Sequence, residues 1–191
     1  MGDHRLIAAV TATLRHILEV AVGEVGSDAR VRVGSASGQG STPEVCVRLV
    51  RAVPNEAFRT ADLPRRSAAG ELIARPQTAL DLYYLLAFDG DPESLLPERL
   101  LGACVSRLEA RPVVGADVVA AAIQEAAAEG VELEGCGLET LRFVPAPGFG
   151  DETAGLRAAF SEGRAPLALT YRCTVLLPLE AAPRSGPPSP G

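Results

Sequence analysis

The chain has 191 residues, a length at which one core buries roughly 70% of the surface an unfolded chain exposes, so a single domain is the expectation. Hydrophobic residues at 47% and charged residues at 22% argue against wholesale disorder and against a membrane protein, and no stretch approaches the ~20 uninterrupted apolar residues of a spanning helix. A formal net charge of −6 gives no general attraction to phosphate backbones or anionic bilayers, so neither nucleic-acid binding nor membrane insertion is expected.

Taken in chain order, residues 4 to 22 carry Ile7, Val10, Leu14, Ile17, Leu18 and Ala21 at three- and four-residue steps, which predicts a helix. Asp3 is placed to cap it and Gly23 to end it. Charged residues through Met1 to Gly23 make this segment neither a signal peptide nor an anchor, so synthesis in the cytoplasm is expected. Val31 and Val33 suggest a short strand, and Gly34-Ser-Ala-Ser-Gly-Gln-Gly-Ser41 a flexible loop. From Glu44 to Val53 the pattern has period two, with Val45, Val47 and Leu49 on one side and Cys46 and Arg48 on the other, as in a half-buried strand. Residues 54 to 76 show no sustained period and read as a long irregular loop that meets a partner; Arg65 and Arg66 within it read as a solvated turn.

Ala79 to Phe88 alternates again, but both faces are apolar, which predicts a central strand covered on both sides. After the turn Asp89-Gly90-Asp91-Pro92, Leu100, Leu101, Cys104, Val105 and Leu108 mark a second helix that stops before Arg111-Pro112. A third runs from about Asp117 to Glu129 and is closed by Gly130. A strand near Leu138 to Val144, a short helix capped by Asp151 with Leu156, Ala159 and Phe160 on one side, and a last strand from Pro166 to Leu177 follow. The fold expected is a single small α/β (α+β) domain, 1–179, with a mixed, mainly antiparallel sheet flanked by about four helices. Residues 180–191 form a Pro-rich tail with too few apolar groups to fold.

Catalytic chemistry is hard to find. Nucleophilic catalysis by Ser or Cys usually needs a histidine within reach, and the two histidines, His4 and His16, are about 18 Å apart along one helix. The acidic residues at 89, 91 and 93 lack the remaining ligands of a calcium loop, and the glycines at 34, 38 and 40 precede a strand rather than the helix a phosphate cradle needs. Cys46, Cys104, Cys136 and Cys173 are too scattered for a Cys-x-x-Cys site and read as reduced, buried thiols. Asp81, between Leu80 and Leu82, reads as a subunit or hydrogen-bond contact rather than a catalytic acid. No catalytic, cofactor or metal site is expected.

Three stretches resemble one family. They are Val45-Cys-Val-Arg-Leu-Val-Arg-Ala-Val-Pro-Asn55 with Phe58-Arg59 after it; Arg75-Pro-Gln-Thr-Ala-Leu-Asp-Leu-Tyr-Tyr-Leu-Leu86, followed by an acidic turn, Leu100-Leu101-Gly102 and Arg111-Pro112-Val113; and Phe160 to Cys173. Together they are similar to the N-terminal domain of the cap, or tail-terminator, proteins of phage-tail-like contractile injection systems of the Photorhabdus virulence cassette and antifeeding-prophage type. Members often carry a Trp before the closing strand, where this chain has Phe160 and no Trp. The resemblance implies a non-enzymatic subunit that forms a ring, thought to be hexameric, on the last inner-tube and sheath layers, ending polymerisation. Its implied partners are itself, the tube protein and the sheath protein, in a particle released or kept in the cell. The subunit-interface candidates are Arg48, Arg51, Asn55, Phe58, Arg59, Asp81, Tyr83 and Arg172. A small-ligand-binding or catalytic domain with residues 54 to 76 as a lid, and an adaptor for cargo or baseplate parts, are the competing readings.

Overall fold

Apolar periodicity decides the architecture. The computed structural model describes residues 4–34, 42–58, 65–66, 72–74, 77–147 and 167–178. It runs α1 (Leu6–Glu24), β1 (Arg30–Val33), β2 (Glu44–Pro54), β3 (Arg65–Arg66), β4 (Leu72–Ala74), β5 (Gln77–Asp89), α2 (Leu96–Ala110), α3 (Ala116–Ala128), β6 (Phe143–Ala146) and β7 (Leu167–Pro178). Five strands form one mixed sheet in the order β1-β2-β5-β7-β6, antiparallel throughout except for the parallel β1–β2 pair.

The two-sided apolar strand expected at 79–88 is the centre of that sheet. Leu82, Tyr84, Leu86 and Phe88 turn one way into the main core, while Ala79, Asp81, Leu85 and Ala87 are buried the other way. On the first face α1 and α2 cover the sheet with Val10, Leu14, Leu18, Leu100, Cys104 and Leu108, and Val45, Val47, Tyr171, Cys173 and Val175 meet them from β2 and β7. Two buried tyrosines fix the depth of this layer: Tyr84 shares a 2.9 Å hydrogen bond with Thr11, and Tyr171 donates to Glu109 at 3.2 Å. α3 lies against α1, held by Ala9, Ala126, Leu133 and Cys136.

Several local expectations need correction. Gly23 lies inside α1, and the left-handed residue beyond its end is Gly26, with φ of 68°. Arg5 occupies the N-cap position without a side-chain bond, and Asp3 lies outside the described residues. The strand expected at 138–144 begins only at Phe143, because Leu133 and Cys136 are drawn under α1 and α3 and leave only Leu141 bridged to Val114. The 54–76 excursion holds the antiparallel ribbon of β3 and β4, whose strands of two and three residues are too short to give a period. Three helices stand among the described residues rather than about four; the one expected after Asp151, and the tail 180–191, lie outside them.

Candidate functional site

The face of the sheet away from α1 and α2 is where the interface candidates collect. A strand alternates its side chains, so the register fixes which residues share this face. Arg51 stands opposite Tyr83, Tyr83 opposite Arg172 and Arg172 opposite Val144, a row crossing β2, β5, β7 and β6. The next row pairs Val53 with Asp81 and Asp81 with Thr174; on the other side of Tyr83, Arg48 pairs with Leu85 and Leu85 with Thr170. A register shift between Leu49 and Arg51 keeps both Arg48 and Arg51 on this face although three positions separate them.

Asp81 is the organising group of this surface. Its carboxylate is buried, with Oδ1 accepting from Asn55 Nδ2 at 2.9 Å and from Thr174 Oγ1 at 2.6 Å, while Arg172 Nη1 lies 3.6 Å from Oδ2. Asn55 in turn accepts the Ala57 amide at 3.0 Å, which ties the turn after β2 to the sheet. The carboxylate is therefore spent on holding three elements in register, and the charge it leaves uncovered is partly met by Arg172. Phe58 follows that turn with 46% of its surface exposed. Of the eight candidates the structure brings Arg48, Arg51, Asp81, Tyr83 and Arg172 onto one face and sets Asn55 and Phe58 at its rim; Arg59 lies outside the described residues. Thr174 belongs with them and was missed, since only the β5–β7 register, unreadable from a single strand, puts it beside Asp81.

The sheet's two outer strands are short. β1 covers only Glu44–Val47 of the eleven-residue β2, and β6 covers only Thr170–Cys173 of the twelve-residue β7. β1 alternates Arg30 and Arg32 with valines, and β6 includes Pro145, which has no N–H to offer a further strand.

Among the described residues, several groups of the kind used in catalysis are engaged in structural contacts. His16 Nδ1 lies 2.7 Å from Glu125, and Arg15 is held by Glu129 and Glu19, which together lock α1 to the end of α3. The acidic turn uses its carboxylates on its own backbone: Asp89 accepts Gly90 N–H at 2.9 Å, and Asp91 accepts those of Glu93 and Ser94 at 3.1 and 3.2 Å. All four cysteines are free and buried. Burial raises the Cys46 thiol to about 11 and those of Cys104 and Cys173 to about 12, the opposite of what a nucleophile requires. A cleft of about 260 Å³ opens where α1 meets the turn between α2 and α3, floored by aliphatic side chains and edged by Arg107 and Arg111.

A family model described as the Pvc16 N-terminal domain matches residues 9–190. Among solved structures, the fold is similar to the sheath/tube terminator of PVC, an extracellular contractile injection system, in its extended state. There the TM-score is 0.57 at 16% identity, over 98% of this chain and 62% of that one. It is also similar to the tube-terminating cap of the anti-feeding prophage, with a TM-score of 0.56 at 15% identity, over 92% of this chain and 57% of the other. The chain thus spans about three fifths of the length of the solved chains it matches. No curated protein matches it significantly in sequence.

Proposed function

Because the chain belongs to the Pvc16 N-terminal domain family, we propose that it is a non-enzymatic terminator subunit, made in the cytoplasm and built as a ring, six-membered by our reading, onto the end of an inner tube and contractile sheath. The observation that carries this reading is the likeness of fold, over 98% of the chain, to a sheath/tube terminator of an extracellular contractile injection system.

The physics of the surface supports it. A tube grows by head-to-tail contacts that never close, so ending it takes a subunit that docks with one face and offers no copy of the receiving face on the other. The row of Arg51, Tyr83 and Arg172, together with Arg48 and the exposed Phe58, combines the residue types enriched at protein interfaces on the side of the sheet opposite α1 and α2. We assign that side to the last tube or sheath layer. The short outer strands, one carrying arginines and the other a proline, suit a subunit that must not be extended strand by strand. Residues 1–179 act as the capping domain and 180–191 as a solvated tail.

Particles assembled from a locus deleted for this chain should have sheathed tubes of scattered length, or tubes that fall apart, in negative-stain micrographs. Uniform, stable particles from that strain would overturn the reading.

A further inference from the structure

α2 carries a feature at each end that the chain itself does not use. At its start, Leu95 is the single non-glycine residue with positive φ among the described residues, at 51°, and 60% of its surface is exposed. A branched side chain in the left-handed region is costly, and the N-cap position favours Ser, Thr, Asp or Asn. Leu95 makes no cap bond and does not join the core, so nothing among the described residues explains a leucine there. It stands at the tip of an acidic turn, with Asp91, Glu93 and Glu98 around it and exposed.

The other end has the opposite character. Arg107 and Arg111 lie one helical turn apart, and Val113 beyond them is 59% exposed. These three edge the cleft of about 260 Å³, whose floor includes Ile17, Val20 and Leu108. Arg107 has Glu24 at 3.4 Å, and Asp117 also lies at the edge, whereas Arg111 has no ion-pair partner among the described residues. An apolar floor rimmed by Arg107 and Arg111 thus stands at one end of α2, and an apolar tip in an acidic turn at the other. Fifteen residues at 1.5 Å each separate them by about 22 Å along one axis.

We propose that the ring closes through these two ends: the acidic turn of one copy, led by Leu95, seats in the Arg107–Arg111–Val113 cleft of the next copy. Two different patches facing opposite ways along one axis make a head-to-tail contact, the kind that generates a ring when its rotation closes. Arg111 offers the acidic turn a counter-charge, and the negative end of one α2 approaches the positive end of its neighbour's, so the helix dipoles add to the attraction. The contact rests on the ring proposed above and specifies its subunit interface.

Light scattering on the full chain separates the two ideas. The wild-type chain should form a closed multimer. Leu95→Asn should be monomeric and, when both chains are diluted below the assembly range, melt at or above the wild-type temperature, because asparagine suits the left-handed backbone; a residue with only a structural role would not give up assembly while holding that melting temperature. Arg111→Glu combined with Val113→Asp should also be monomeric. Mixed, the two variants hold one intact turn and one intact cleft between them, and should give a one-to-one pair and nothing larger. Multimers unaffected by either variant would overturn this contact and leave the ring standing, whereas a wild-type chain monomeric at every concentration would overturn both.

Discussion

Asp81 illustrates how a single buried charge can set a surface without reacting. Three side chains converge on it, Asn55 from the turn after β2 and Arg172 and Thr174 from β7, and two of those contacts are shorter than 3 Å. Asp81→Ala would strand the Asn55 amide and the Thr174 hydroxyl beside the buried site and leave Arg172 without its counter-charge. We expect a loss of about 2 kcal/mol in urea unfolding, with no change in the slope of the transition. The sequence around Asp81, a carboxylate between two leucines on an alternating strand, was enough to mark it as a contact residue. Its partner Thr174 was not legible, because it lies 93 positions away and is brought near only by β5–β7 pairing. Leu95 was overlooked for a related reason: an apolar residue in an acidic turn is unremarked until its φ and exposure are known.

At the level of elements, the strongest patterns were legible and their ends less so. α1, β2, β5, α2, α3 and β7 lie where periodicity puts them to within a few residues, since each buries a continuous stripe or face in one core. Periodicity is silent where a short segment answers to its neighbours, as in residues 131–140, of which Leu133 and Cys136 are buried against α1 and α3, and in the β3–β4 ribbon. Glycine as a stop signal worked once and failed once. Gly130, at φ of 86°, closes α3 with its own N–H on Ala127 at 3.0 Å and that of Val131 on Ala126 at 2.9 Å, satisfying two terminal carbonyls. Gly23 ends nothing. The two should therefore respond oppositely to alanine: Gly130→Ala should cost about 1 kcal/mol in chemical denaturation through its left-handed backbone, whereas Gly23→Ala, with nothing within 4 Å of the added methyl, should be neutral or stabilising.

For the whole molecule, the core should leave a signature in alkaline solution. Cys104 and Cys173 are fully buried, and burial raises both thiols from an ordinary 9.0 to about 12. In this range the folded chain keeps protons that the unfolded chain releases. The contribution is thus intact below pH 9 and is lost as pH rises from 9 towards 12, at about 1.4 kcal/mol per pH unit for each thiol. The buried hydroxyls of Tyr84 and Tyr171, also raised by desolvation, add to the decline at higher pH. Urea midpoints measured at pH 8 and pH 10 should fall steeply for the wild-type chain and less so for a variant carrying Cys104→Ala and Cys173→Ala, whose starting stability will be lower.

The position of β7 has a further consequence, for the timing of synthesis. β5 is complete at residue 89, yet the partner for its second edge is the last strand of the sheet and ends at residue 178. A ribosome must therefore add some ninety residues while the central strand of the sheet has one flank bare. During that interval the nascent polypeptide is at its most vulnerable to mispairing, and a chaperone would find its main task there. The sheet consequently cannot close until residue 178 has been made, so any product cut short before β7 lacks the strand that pairs the second edge of β5.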